Sequence, residues 1–121
     1  HDGYLKKYGI IHEREMEFYP EQMKFIGYDK LISKKMIKNL KFDIRFHLEP
    51  NVKVMKTQDN KSILIDLEGE GWKFISNGNE INIDNGLYFG KKNSFTENQN
   101  IFISRMTNDK NQTIKWEITR L

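Results

Sequence analysis

Two residues apart on a stretch of alternating polarity, His12 and Arg14 put an imidazole and a guanidinium on one side of the chain, because successive side chains of a strand point to opposite faces. A neutral imidazole exchanges protons near pH 7, and a guanidinium grips a carboxylate through two parallel hydrogen bonds. The opening His1-Asp2-Gly3-Tyr4 adds a second imidazole, and a phenol that can move a proton if its pKa is lowered. His1, Tyr4, His12 and Arg14 together would suit an acidic sugar. The alternative is that His12 and Arg14 are hydrogen-bonded residues of a half-buried strand that support the fold; the sequence leaves both open.

Other chemistries lack their marks. His47 alternates with apolar residues on the outer face of its strand and has no partner at His-x-His spacing, so no metal site is expected. There is no Cys, which removes disulfides and thiolate metal sites and leaves the compartment open. No Gly-rich phosphate loop, His-Glu-x-x-His helix or Ser nucleophile elbow occurs. Trp72 and Trp116, with Tyr88, could form a platform for sugar rings, but the two tryptophans lie in phase with Phe74 and Ile114 and so read as core. The net charge of +3 comes from 20 Lys and Arg against 17 Asp and Glu spread along the chain. The densest basic stretch, Lys30 to Lys41, reads as a solvated loop, and no nucleic-acid partner is expected. Apolar runs as short as Ile63-Leu64-Ile65 fall far below the roughly 20 residues of a membrane span.

The elements that must position these residues are strands, since apolar residues recur at every second position in segment after segment. Phe42, Ile44, Phe46 and Leu48 mark one buried face. Ile10, His12, Arg14, Met16 and Phe18 mark one face of a long first strand, which turns at Pro20-Glu21. Met23, Phe25, Tyr28 and Leu31 return, with Gly27 shifting the alternation as a bulge or bend would. Gln58-Asp59-Asn60-Lys61 predicts a hairpin turn before Ile63, Ile65 and Leu67, and Gly69-Glu70-Gly71 turns the chain into Trp72 and Phe74. Asn77-Gly78-Asn79 predicts a tight hairpin pairing Trp72–Ser76 with Glu80–Asp84, and Asn85-Gly86 repeats the turn signal before Leu87 and Phe89. Strands at Ile101 and Ile103 and at Ile114, Trp116 and Ile118 complete the set, with Asn93–Asn100 and Asn108–Asn111 as polar connections. Ser33–Asn39 is a candidate helical turn too short to be stable alone. The sum is a single all-β domain over residues 1–121, an antiparallel β-sandwich of roughly nine or ten strands.

The chain also resembles a family. His1 to Arg14, with Arg45-Phe46-His47-Leu48-Glu49-Pro50-Asn51-Val52, Gly69-Glu70-Gly71-Trp72-Lys73-Phe74 and Ile114-Lys115-Trp116-Glu117-Ile118, is similar in order and spacing to the C-terminal β-sandwich portion of bacterial heparinase II/III-like polysaccharide lyases. The resemblance implies a longer protein, in which an N-terminal α/α toroid precedes the sandwich and uronic-acid polysaccharide is cleaved by β-elimination. It implies that the toroid brings most of the Tyr and Asn chemistry, and that the His-rich segments of the sandwich lie before His1. On that basis this piece is not catalytic alone, needs no cofactor of its own, and carries His1, Tyr4, His12 and Arg14 as residues of the family's motif without an assigned role. The expected partners are an acidic polysaccharide, met through the longer protein, and the toroid, in a bacterial periplasm or cytoplasm. An edge exposed by excision would also permit a homo-oligomer. The rival expectation is a self-standing carbohydrate-binding β-sandwich module, suggested by an aromatic content of 12% on a β-rich scaffold.

Overall fold

The structure, a computed structural model, describes residues 10–33, 41–76, 80–89, 95–106 and 111–121, with the side chains of 86–89 and 95–97 outside that description. His1 and Tyr4 fall outside it, as do residues 34–40 of the lysine-rich stretch and most of the expected helical turn. Nine strands run in chain order: β1 (Ile10–Tyr19), β2 (Lys24–Ser33), β3 (Lys41–His47), β4 (Lys53–Lys56), β5 (Ser62–Leu67), β6 (Glu70–Ile75), β7 (Glu80–Phe89), β8 (Phe95–Met106) and β9 (Asn111–Arg120). They form two antiparallel sheets, one of six strands in the order β1-β2-β9-β6-β5-β4 and one of three in the order β3-β8-β7. The all-β expectation therefore holds, as a sandwich with one wide and one narrow layer.

The core lies between the layers. Ile63, Phe74, Ile114 and Trp116 of the large sheet meet Ile44, Ile81, Ile101 and Ile103 of the small one, all buried. Period-two burial is the reason these segments are strands, since each buries one face and solvates the other. Phe46 packs edge-on against Phe74 and Trp116, at centroid distances of 5.1 and 4.9 Å, and so locks β3 over β9 and β6. Both tryptophans are buried, at 8% exposure for Trp72 and 3% for Trp116, which makes them core and leaves no sugar platform built on them.

Turn chemistry agrees with the sequence at two places. Pro20–Gln22 forms a single 3₁₀ turn between β1 and β2. Between β4 and β5, Asp59 accepts hydrogen bonds from the Thr57 hydroxyl and the Lys61 amide, with Asn60 in the left-handed region. Those two donors hold the Asp59 carboxyl below its ordinary value. The turn before β6 lies one residue earlier than expected, at Glu68 and Gly69, both at positive φ, with Glu70 already in the strand.

Other expectations are corrected. Trp72–Ser76 does not pair with Glu80–Asp84: β6 already has β5 and β9 on its two sides, and β7 belongs to the small sheet. Asn85-Gly86 is not a turn, because the pairs Asn85↔Gln99 and Gly86↔Asn98 carry β7 straight through it. Asn98 and Asn100, expected in a polar connection, belong to β8. Gly27 is neither bulge nor bend, since β2 pairs without interruption with β1 and β9. Its missing side chain has another use: a Cβ there would overlap the six-membered ring of Trp116, which lies across the glycine.

Gly27→Ala is therefore expected to cost about 3 kcal/mol or more, at the upper end for overpacking. Urea denaturation of wild type and variant measures it. Because Asp59 sits below its ordinary pKa when folded, its contribution is present above the unfolded pKa and is lost as pH falls through the folded one. Native-state NMR titration should show the Asp59 midpoint depressed, and Thr57→Val should move it back up.

Candidate functional site

Sheet register places the candidate residues. In the β1–β2–β9 stretch, His12, Leu31 and Gln112 form one cross-strand row, Arg14, Asp29 and Ile114 the next, and Met16, Gly27 and Trp116 the third, all facing the interior. A carboxylate thus stands at the centre of an otherwise apolar face. Asp29 has 0% exposure. A charge so placed is costly unless every lone pair meets a donor.

The neighbours supply those donors. Asp29 Oδ1 accepts from His12 Nε2 at 2.7 Å and from Arg14 Nε at 2.8 Å, and Oδ2 accepts from Trp116 Nε1 at 2.7 Å. Every contact is a donor, the pattern an ionised, acceptor-only carboxylate takes. The network fixes the imidazole proton on Nε2, which leaves Nδ1 of neutral His12 as an acceptor. Arg14 goes further. Its guanidinium lies 4.4 Å from the Phe46 ring centroid, and its Nη2 donates to the Arg45 carbonyl at 3.3 Å, so this one side chain joins β1 to β2 and to β3 of the facing sheet.

A second polar network covers the outer face of the small sheet. Arg45 donates to Asp84 at 2.7 Å, Asn100 donates to the other Asp84 oxygen at 3.4 Å, and Asn98 donates to Asn100 and to the Leu48 carbonyl. Ser104 and Arg45 both bond Asp43, and the Arg45 guanidinium lies over Phe102. Beside it is an open depression of about 440 Å³ bordered by Lys41, Glu80, Asn82 and Ser104, with both signs of charge. His47 is exposed at the end of β3, and among the described residues no group of three or more His, Asp or Glu is arranged to hold a metal ion.

The structure thus brings His12 and Arg14 together, as their spacing requires, and adds Trp116, read from the sequence as core, and Asp29, which the sequence reading did not select. The signal was present: Phe25-x-Gly27-x-Asp29-x-Leu31 is a continuous interior row once Gly27 is kept in phase. Treating Gly27 as a bulge put Tyr28 in the interior instead. As built, His12 and Arg14 are committed to an internal carboxylate. An imidazole backed by a carboxylate is also a proton acceptor of fixed tautomer, which is the chemistry this site can offer a neighbouring group.

The family model described as heparinase II/III-like, C-terminal, matches residues 1–117. Among solved structures, a heparan sulfate lyase, HepC from Pedobacter heparinus, superimposes with a TM-score of 0.74 at 11% identity, covering 93% of this chain and 18% of that one. A heparinase III gene product superimposes with a TM-score of 0.68, also at 11% identity, with 93% and 18% covered. This chain therefore spans less than a fifth of the solved structures it resembles. No curated protein matches it in sequence.

Arg14→Ala, which leaves the buried Asp29 carboxylate without its cation, is expected to lose about 3–5 kcal/mol of stability. Asp29→Ala should lose less, about 1–3 kcal/mol, because it leaves an unpaired indole N–H and a guanidinium that is partly solvated. A double-mutant cycle on Arg14 and Asp29, read by chemical denaturation, should return a coupling of about 0.5–3 kcal/mol. Strict additivity would show that the pair does not interact.

Proposed function

This chain belongs to the heparinase II/III-like family, as a C-terminal domain of it, and on that footing we propose that it supports eliminative cleavage of a uronic-acid-containing polysaccharide by a longer protein. The family match over residues 1–117 is the observation that carries this proposal. The likeness to solved lyases in fold, over 93% of the chain, is consistent with it. The elimination needs a group that neutralises the uronate carboxylate, a base for the C5 proton and an acid for the leaving oxygen.

The described residues do not assemble that set. Arg14, the cation best suited to a uronate, already holds Asp29. His12 is held by the same oxygen through Nε2. The domain in this proposal is thus a rigid support for a cleft whose reactive groups come from the rest of the protein. His1 and Tyr4 remain candidates through the family motif only. The rival reading, a self-standing carbohydrate-binding module, has less to support it, since Trp72 and Trp116 are occupied in the core.

Ultraviolet absorbance of the unsaturated uronate product tests the proposal. The full-length protein should generate it from an acidic glycan, and the 121-residue domain should not. Product formed by the domain alone, or none by the full-length protein on any uronate-containing glycan, would refute it.

A further inference from the structure

The two layers of the sandwich do not match in width. The small sheet spans from β7, which lies near β4 through the Lys56 to Asn82 hydrogen bond, across to β3, whose Phe46 packs on Phe74 and Trp116. The large sheet continues beyond β3 to β2 and β1. On β1 the interior-facing positions past Arg14 are Met16, at 59% exposure, and Phe18, at 46%. These residues lie in register with Gly27 and Phe25 on β2 and with Trp116 and Ile118 on β9, the row that forms the core one strand further in. Phe18 stacks on Phe25 at 4.5 Å, so the apolar surface runs without a break from the core out into solvent.

Above this surface, among the described residues, no strand lies on the side of β3 away from β8. β3 pairs with β8 alone among the described strands. Backbone groups of an antiparallel strand alternate between its two sides, and the Arg45 carbonyl, engaged by Arg14 of β1, marks the side away from β8. Asp43, Arg45 and His47 accordingly direct their N–H and C=O groups to that side, where Arg14 already holds the Arg45 carbonyl. A long unpaired edge beside a solvated apolar face is a template for another strand. Strands within a sheet lie about 4.8 Å apart and stacked sheets about 10 Å apart, so one further strand beside β3 would sit over Met16 and Phe18.

We propose that this position is filled by an extended segment of the same polypeptide from outside these 121 residues, paired with β3 and placing apolar side chains on Met16 and Phe18. The inference rests on the reading of this chain as one domain of a longer protein. Its source is the length of chain to be accounted for: the solved lyases that share this fold are more than five times longer than the part it matches, at 18% coverage. A segment of the same chain is favoured over a second copy because the interior row of β1 is continuous with the domain's own core.

Met55 provides an internal control, being 63% exposed on the far edge strand β4. In native full-length protein treated briefly with hydrogen peroxide, sulfoxide at Met16 should form about tenfold or more slowly than at Met55, read by peptide mass spectrometry. Amides of Asp43, Arg45 and His47 should exchange as slowly as those paired inside the sheets. Phe18→Glu should lower the melting temperature of the full-length protein, and Met55→Glu should leave it unchanged. Equal oxidation of the two methionines would overturn the proposal, and so would protection that disappears on dilution, which would identify a second copy as the occupant. Protection that persists on dilution in a protein with no elimination activity would sustain this inference and reject the proposed function.

Discussion

A carboxylate with no access to water has to be fully hydrogen-bonded or the domain loses several kcal/mol, and Asp29 imposes that condition on three strands at once. Its oxygens require His12 and Arg14 from β1 and the Trp116 indole from β9, so the register of β1, β2 and β9 admits no slip. A shift of one residue would turn the donors to the outer face and leave the charge bare. Gly27 follows from the same requirement, because the indole reaches Asp29 only by lying across a residue without a side chain. Arg14 then extends the constraint to the other layer through Phe46 and the Arg45 carbonyl.

That arrangement gives His12 and Arg14 a defined role in this domain and limits what else they can do. A guanidinium bound to an internal carboxylate has less to offer a substrate carboxylate, and an imidazole bound through Nε2 retains only Nδ1 for proton exchange. The outer face of the small sheet is different in kind: its Asn, Asp and Arg side chains bond one another across β3, β8 and β7. Such a face is polar and ordered without being an acid–base centre. Both observations suit a domain that supports a cleft.

The unequal widths of the sheets connect fold to assembly. A six-stranded layer whose first strand carries Met16 and Phe18 on the inward side is built to be covered, yet the three strands opposite end at β3. Among the described residues that surface has no counterpart; in the proposed arrangement further chain makes it a continuation of the core.

Alternation of apolar residues in Phe42–Leu48, Ile63–Leu67 and Ile114–Ile118 was enough to determine an antiparallel β-rich fold, because burying one face of a strand needs only local period two. The pairing of His12 with Arg14 on one face was legible for the same reason, as was the turn at Asp59. Which strand lies beside which was not, since Asn77-Gly78-Asn79 has the local chemistry of a hairpin whether the next strand returns alongside β6 or crosses to the other layer. That choice depends on β5 and β9 already flanking β6, a non-local fact. Asp29 became visible as the centre of the site only when three strands distant in sequence brought their donors to it, because the cost of a buried charge is settled by neighbours in space and not by neighbours in the chain.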